Sequence, residues 1–268
     1  MAAGQRGERK RDSSGLRPKS KPAREPGLRL DQFLASAGLG SRRSCSDLIH
    51  DGRIEVGSEV VDYPGHRVDP TKDIVRCDGE RVRPPKKKLY YVMNKPSGYV
   101  TTRADERGRA TVEELLGRLR GKMAPVGRLD RATEGLLLFT NDGELAHRLL
   151  HPRFRQPRTY LAWVSPMPSL AALQRIREGL PIGDGEESGP AQVKVGDRKR
   201  QSARVRITLR EGKNREVRRI FRAVGLRVLA LRRVDYAGIL LGDLPVGAIR
   251  PLAEEERAWL SAKTKLPL

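Results

Sequence analysis

A guanidinium and a carboxylate stand two residues apart in Gly127-Arg128-Leu129-Asp130, on a stretch closed by Gly135. The apolar run 136–140 and the turn signal Asn141-Asp142-Gly143 follow at once. The run reads as a buried strand, so the charged pair sits on a loop at the strand's mouth. An ionised Asp in such a place can attack an electron-poor carbon or take a proton, and functional groups collect on loops held by a rigid strand. Taken alone, an Arg-x-Asp on a loop is more often a wet surface feature. Other segments have to decide.

Three do. Tyr91-Val-Met-Asn-Lys-Pro-Ser-Gly98, Gly108-Arg-Ala-Thr-Val112 and Glu211-Gly-Lys-Asn-Arg-Glu-Val-Arg-Arg-Ile-Phe221 flank the Asp130 segment in a fixed order. With Gly-Arg-Leu-Asp and the following Thr-x-Gly-Leu-Leu-Leu-x-Thr-Asn-Asp-Gly, they resemble the motifs of RNA pseudouridine synthases, in the branch that modifies bacterial ribosomal RNA. One departure is Ala110, where relatives usually carry Pro. The resemblance implies the reaction: the uridine N1–C1′ bond breaks, the uracil turns, and C5 joins C1′. No atom is lost and no redox change occurs, so no cofactor is expected.

The same resemblance assigns roles. Asp130 is the carboxylate that acts at the ribose, either on C1′ or on the C2′ proton, and both routes need it ionised. Arg218 is the cation expected to pair with it. Its neighbour Arg219 is a rival that periodicity does not remove, although Val217 and Ile220 facing inward would send the two arginines to different sides. Tyr160, in Arg158-Thr-Tyr, is expected to stack on the extracted base and to stand near C5. Without the motif it would read as core packing. Arg128 is expected at an RNA phosphate or in the vacated base position, and Lys95, Lys213 and Arg215 on the RNA backbone. The segments around Ala110 and Lys213 favour 23S over 16S ribosomal RNA as the substrate.

Composition agrees with a polyanionic partner. The chain holds 54 Lys+Arg against 33 Asp+Glu, a formal net charge of +21 over 268 residues, which attracts nucleic acid. No stretch approaches a membrane-spanning helix, and the first 21 residues lack the apolar middle of a signal peptide. Cys45 and Cys77 form no Cys-x-x-Cys, and the four His show no metal-ligand spacing. His147 and His151, four apart, read as a solvated helix face. We expect a cytoplasmic monomer without metal.

These groups need a frame. Residues 1–27 read as a flexible basic tail. From residue 28, Leu30, Phe33, Leu34 and Ala37 recur at helical spacing, Ser41 can cap a second helix with Cys45, Leu48 and Ile49 inward, and short strands follow at 54–56 and 59–61. With Gly38-Leu-Gly-Ser-Arg-Arg43 and Gly52-Arg-Ile-Glu-Val56, the unit 28–82 resembles an S4-type RNA-binding domain. Arg42, Arg43 and Arg53 are its expected phosphate contacts, and Ser44 stands where relatives carry a capping Glu. Residues 83–88 read as a stiff basic linker. Over 89–268, strands are expected at 89–93, 136–140, 159–164, 192–195, 203–209 and 227–234, and helices at 111–119, 144–150, 170–178, 215–224 and 254–262. That pattern implies α+β architecture, a small helix-helix-strand domain followed by a mixed, mainly antiparallel sheet flanked by helices.

Two rivals fit part of this. An S4-containing RNA-binding or ribosome-assembly protein without catalysis would share the charge but has no need of Asp130, Tyr160 and Arg218 together. A carboxylate-pair glycosidase is disfavoured by so basic a surface.

Overall fold

The computed structural model describes residues 27–85, 87–102 and 105–268. The basic tail, apart from Gly27, and Lys86 of the linker lie outside the described residues. The first unit runs β1 (Leu28–Arg29), α1 (Leu30–Ser36), α2 (Arg42–His50), β2 (Ile54–Val56), β3 (Glu59–Val60), β4 (Arg67–Val68), β5 (Val75–Cys77) and β6 (Glu80–Val82). Leu30, Phe33, Leu34, Cys45 and Ile49 meet Ile54, Val68 and Val75 in its core, as the helical spacing requires. Ser41 Oγ accepts the Ser44 N–H at 3.1 Å, and Ser44 turns its own hydroxyl back to Ser41. The first turn is therefore capped without the Glu. The strands pair in the order β3-β2-β5-β6, beside a β1–β4 ribbon.

The second unit begins with β7 (Tyr90–Lys95), a 3-10 segment (Val112–Leu119), β8 (Ala124–Pro125), β9 (Glu134–Thr140) and α3 (Gly143–Leu150). It continues through β10 (Arg158–Ser165), α4 (Leu170–Glu178), β11 (Pro181–Gly183), β12 (Glu186–Glu187), β13 (Gln192–Lys199) and β14 (Ser202–Leu209). α5 (Glu216–Ala223), β15 (Arg227–Tyr236), β16 (Ile239–Leu240), β17 (Ile249–Pro251) and α6 (Glu254–Thr264) complete it. Among the described residues nine strands form one sheet, ordered β13-β14-β10-β15-β9-β7-β17, with β8 on β9 and β16 on β15. Only β9 and β15 run parallel. The fold is α+β, and no helix of the described residues is long and apolar enough to cross a membrane.

Burial follows the sequence pattern. β9 is covered on both faces, Leu136 and Leu138 by α3 and α6, Leu137 and Phe139 by the 3-10 segment, which is why it reads as an unbroken apolar run. β10 and β14 bury one face only: Ala162, Val164, Val205 and Ile207 pack on Leu173, Ile176, Ile220 and Phe221. The helix expected at 111–119 is a correction: the backbone is 3-10 and breaks at Gly117, φ +52°, where a regular helix cannot continue.

The turn Asn141-Asp142-Gly143 does more than end β9. Asn141 Oδ1 accepts the Leu89 N–H at 2.8 Å and its amide donates to the Lys87 carbonyl at 3.1 Å. Asp142 caps α3 and also meets the Tyr90 hydroxyl at 3.0 Å and Lys88 Nζ at 2.8 Å. The end of the linker is thus fastened to the strand that leads out of the Asp130 loop. Burial pushes the Asp142 carboxyl up, but hydrogen bonds from Lys88, Leu145 N–H and Tyr90 together hold it below the usual value of 3.8. A carboxylate held low stabilises the fold above its unfolded pKa and loses that contribution as pH falls through the folded value. Asp142→Ala should cost about 2–3 kcal/mol near neutral pH by stranding buried donors, or roughly 5–10 °C in Tm. Thermal unfolding from pH 7 to pH 3 should show the gap to wild type narrowing below about pH 4. A gap independent of pH would reject the assignment.

Candidate active site

The Asp130 loop is built by its carbonyls. Lys95 closes β7, is fully buried, and donates from Nζ to the carbonyls of Thr133 (2.9 Å), Asp130 (3.3 Å), Arg131 (3.4 Å) and Pro96 (2.9 Å). Thr101 Oγ1 binds the Leu129 carbonyl at 2.8 Å. Arg218 Nη2, from α5, takes the Ala132 carbonyl at 3.1 Å. Gly98 and Arg131 exchange bonds of 2.8 and 3.0 Å. Where the loop joins β9, Gly135 has φ +101° and lies against β15 so closely that a Cβ would stand 2.2 Å from the Arg233 carbonyl oxygen. Only glycine fits there.

The loop opens on a cleft of about 550 Å³ lined by Arg128, Asp130, Tyr160, Lys213, Arg215 and Arg218. That is the size of a small-molecule or nucleoside site. Asp130 is half-buried and Arg128 exposed. Tyr160, also half-buried, lies in register with Arg233 across β15 and Ile207 across β14, beside a bulge at Thr159/Tyr160. No residue among those described hydrogen-bonds its hydroxyl. Burial and the Arg215 charge push the Arg218 guanidinium down from its ordinary value while Asp130 pulls it up, so the two groups sense each other. They are not in ion-pair contact: Arg218 spends its donors on Ala132 and on the Val228 carbonyl (3.4 Å), and its Nε is buried without a partner.

Arg219 turns away to the β11–β12 turn, binding the carbonyls of Ile182 (3.0 Å) and Gly183 (2.6 Å), Asp184 at 3.3 Å, and Glu186. Lys213 is at the cleft but engaged with Glu211 at 2.7 Å, which holds its ammonium above the usual lysine value. Arg215 adopts φ +49° at the head of α5 and is exposed. Lys95 requires a correction. Its ammonium is buried against the loop carbonyls and does not line the cleft, so it supports the loop where an RNA-backbone contact was expected. In the first unit, Arg42 is paired with Asp31 (2.8 Å) and Arg53 with Asp78 (3.0 Å), leaving exposed Arg43 as the unpaired one of the three. The Arg53–Asp78 pair is exposed on both sides and exchanges for a phosphate at small cost, whereas Asp31 is buried.

Thr101 and Arg233 escaped the sequence reading. Arg233 lines the cleft almost fully buried, its Nε on the Leu136 carbonyl at 2.8 Å and its guanidinium 4.8 Å from the Tyr236 ring. Nothing in Leu-Arg-Arg-Val marks which arginine turns inward; the β9–β15 register decides it. His147 and His151 form edge contacts with each other and with Phe154 at the end of α3. No cluster of metal-ligating side chains occurs among the described residues.

Comparison with known proteins gives two family matches: S4 domain over residues 28–74 and RNA pseudouridylate synthase over 89–223. An uncharacterized RNA pseudouridine synthase of Mycobacterium tuberculosis is 44% identical over 87% of this chain and 93% of its own length. Ribosomal large subunit pseudouridine synthase B of Bacillus subtilis is 36% identical over 87% and 96%. A crystal structure of a pseudouridylate synthase superposes with a TM-score of 0.64 at 28% identity, covering 87% of this chain and all of that one.

Burial lowers the Lys95 ammonium to about 8, against the opposing pull of Glu134 and Asp130. Above that pH it loses one N–H, and the loop loses a donor. Between about 8 and the ordinary 10.5 the unfolded chain holds more protons, so this group makes folding more favourable as pH rises. Alkaline loss of activity should therefore occur without unfolding. Single-turnover rates should fall through pH 8 while Tm does not, and Lys95→Met should be slow and lack that alkaline limb. A limb retained in the Met variant would sink the assignment.

Proposed function

The chain belongs to the RNA pseudouridine synthase family and is an RNA isomerase, and from that premise we propose that it converts uridine in large-subunit (23S) ribosomal RNA to pseudouridine. Two relatives that cover most of this chain carry the large-subunit designation, and the S4 domain supplies a second RNA-binding unit. It works in the cytoplasm as a monomer, on ribosomal RNA that is free or within an assembling subunit. The observation that carries the reading is Asp130 in one cleft with Tyr160 and Arg218.

The steps follow from that placement. The target uridine leaves its stack and enters the cleft, with unstacking offset by contact with the Tyr160 ring and by a phosphate contact from Arg215. Asp130, ionised, acts at the ribose as the N1–C1′ bond breaks, either by attack at C1′ or by removing the C2′ proton. Arg218 lies one loop carbonyl away and keeps that carboxylate charged as the base excludes water. The detached uracil turns against Tyr160; C5 bonds to C1′ as the Asp130–C1′ bond breaks or the C2′ proton is returned, and the C5 proton is passed on with help from the phenol while N1 gains a proton. Arg128 fills the position the base has vacated and holds the neighbouring strand open.

Asp130→Asn should lower single-turnover pseudouridine formation by roughly 10⁴-fold or more while RNA affinity stays near wild type, because phosphates dominate binding. Substantial turnover in the Asn variant would reject the role. Tyr160→Phe keeps the ring and removes the hydroxyl, so a phenol that moves the C5 proton predicts a deficit of about 10²–10⁴-fold. Near-wild-type activity in Phe with loss in Tyr160→Leu would leave stacking alone. Carbodiimide-arrested primer extension on both ribosomal RNAs from cells lacking the protein identifies the substrate. A missing stop in 16S instead of 23S would overturn the large-subunit reading.

A further inference from the structure

The catalytic unit carries a second group of cations that the cleft does not use. Alternation along β10 sends Tyr160, Ala162 and Val164 to the side buried by α5 and opening on the cleft, and Leu161 and Trp163 to the other. Across that other face the register aligns Lys194 of β13, Arg206 of β14, Leu161 of β10 and Arg232 of β15 in one row. The next row is Arg204, Trp163 and Ala230. Residues of opposite parity are buried, whereas Lys194, Arg206 and Ala230 are exposed and Leu161, Trp163, Arg204 and Arg232 half-buried.

The charges on this face are arranged against folding stability. Lys194 and Arg206 are directly opposed on adjacent strands, a like-charge placement that destabilises a sheet. Neither has a carboxylate partner among the described residues, nor has Arg232. Arg204 alone is paired, with Asp197 at 2.6 Å. Lys199 lies 5.1 Å from the Trp163 ring centre. The acidic groups in register, Glu134 and Asp235, are confined to the β15–β9 end, so positive charge concentrates on the outer pair β13–β14. Unpaired cations around a half-open aromatic plate fit a polyanion with flat bases.

We propose that this face is a second RNA-binding surface. It takes the sugar–phosphate backbone of a substrate segment outside the target loop, laid across β13 and β14 with Trp163 as a stacking plate. The proposal rests on RNA being the substrate and adds a contact that neither the cleft nor the S4 unit provides. An RNA larger than the enzyme can reach both faces of the sheet, while a short stem-loop seated in the cleft cannot.

The test uses the full chain with Lys194→Glu and Arg206→Glu together, both exposed and remote from Asp130. Affinity for a large 23S fragment is measured against salt, with the Lys194→Gln/Arg206→Gln pair as a milder second variant should the Glu pair fold poorly. Each lost phosphate contact lowers the slope of log K on log salt by about one. The Glu pair should thus lose about two from the slope and bind about tenfold or more weakly, with the Gln pair following in the same direction. The single-turnover rate on a short stem-loop at saturating enzyme should be unchanged. Lys263→Glu with Lys265→Glu, the same charge change on the C-terminal helix, should leave the slope near wild type. Affinity within twofold with an unchanged slope would overturn the proposal, as would an equal loss in the Lys263/Lys265 pair. Binding is read independently of turnover, so failure of the pseudouridylation reading would not mimic failure here.

Discussion

A loop that crosses the mouth of a sheet leaves its carbonyls without strand partners, and burying them unpaired is costly. Around Asp130 the carbonyls of residues 129 to 133 each meet a donor: Thr101 at 129, Lys95 at 130, 131 and 133, Arg218 at 132. The Lys95 ammonium is the centre of this set. Withdrawing an ammonium from water costs several kcal/mol, and the carbonyl dipoles turned toward it offset part of that cost, the rest showing as its lowered pKa. The orientation of Asp130 therefore depends on where β7 ends, where α5 begins and how closely β9 meets β15. Those three placements make Lys95, Arg218 and Gly135 mutually dependent although they are far apart in sequence.

The arginines and lysines divide by burial. Lys95, Arg218 and Arg233 lie inside or half inside and donate to main-chain carbonyls; they organise backbone. Arg128, Arg215 and Arg43 stand in water without carboxylate partners among the described residues, and they supply charge that a phosphate can use. A high net charge describes the second group. It says nothing about the first, whose members answer to the local need for donors. The difference matters for mutagenesis, since neutralising a buried cation strands carbonyls while neutralising an exposed one changes affinity and salt dependence.

This division also explains what the sequence made legible. The strands β9, β10 and β14 were readable because their burial imposes either an apolar run or alternation, whereas Arg218 and Arg219 were told apart by the resemblance and not by the helical stripe around Val217 and Ile220. The first-unit helices followed from the spacing of Leu30, Phe33 and Leu34. Lys95 was misplaced because a lysine in a motif looks the same whether its ammonium meets a phosphate or four carbonyls. Arg233 was missed since its burial is decided by a parallel register between strands almost a hundred residues apart. The 3-10 geometry at 112–119 depends on Gly117 taking φ +52°, which apolar periodicity does not encode. Short strands such as β8, β16 and β17 carry too few residues for any period to show.

The relation between Asp130 and Arg218 follows from the same accounting of donors. Two of the guanidinium's nitrogens are committed to carbonyls and its Nε is buried and idle, a standing cost for a desolvated donor. Its attraction to Asp130 is modest while water fills the cleft, because a high dielectric weakens it. In the proposed reaction a uracil seated against Tyr160 would expel that water and lower the local dielectric, so the attraction would strengthen. On the proposed reading, closing the pair would give the idle donor a carboxylate acceptor. Arg218 is bonded to the same loop through the Ala132 carbonyl. In that proposed sequence the substrate would complete the charge arrangement that its own conversion requires.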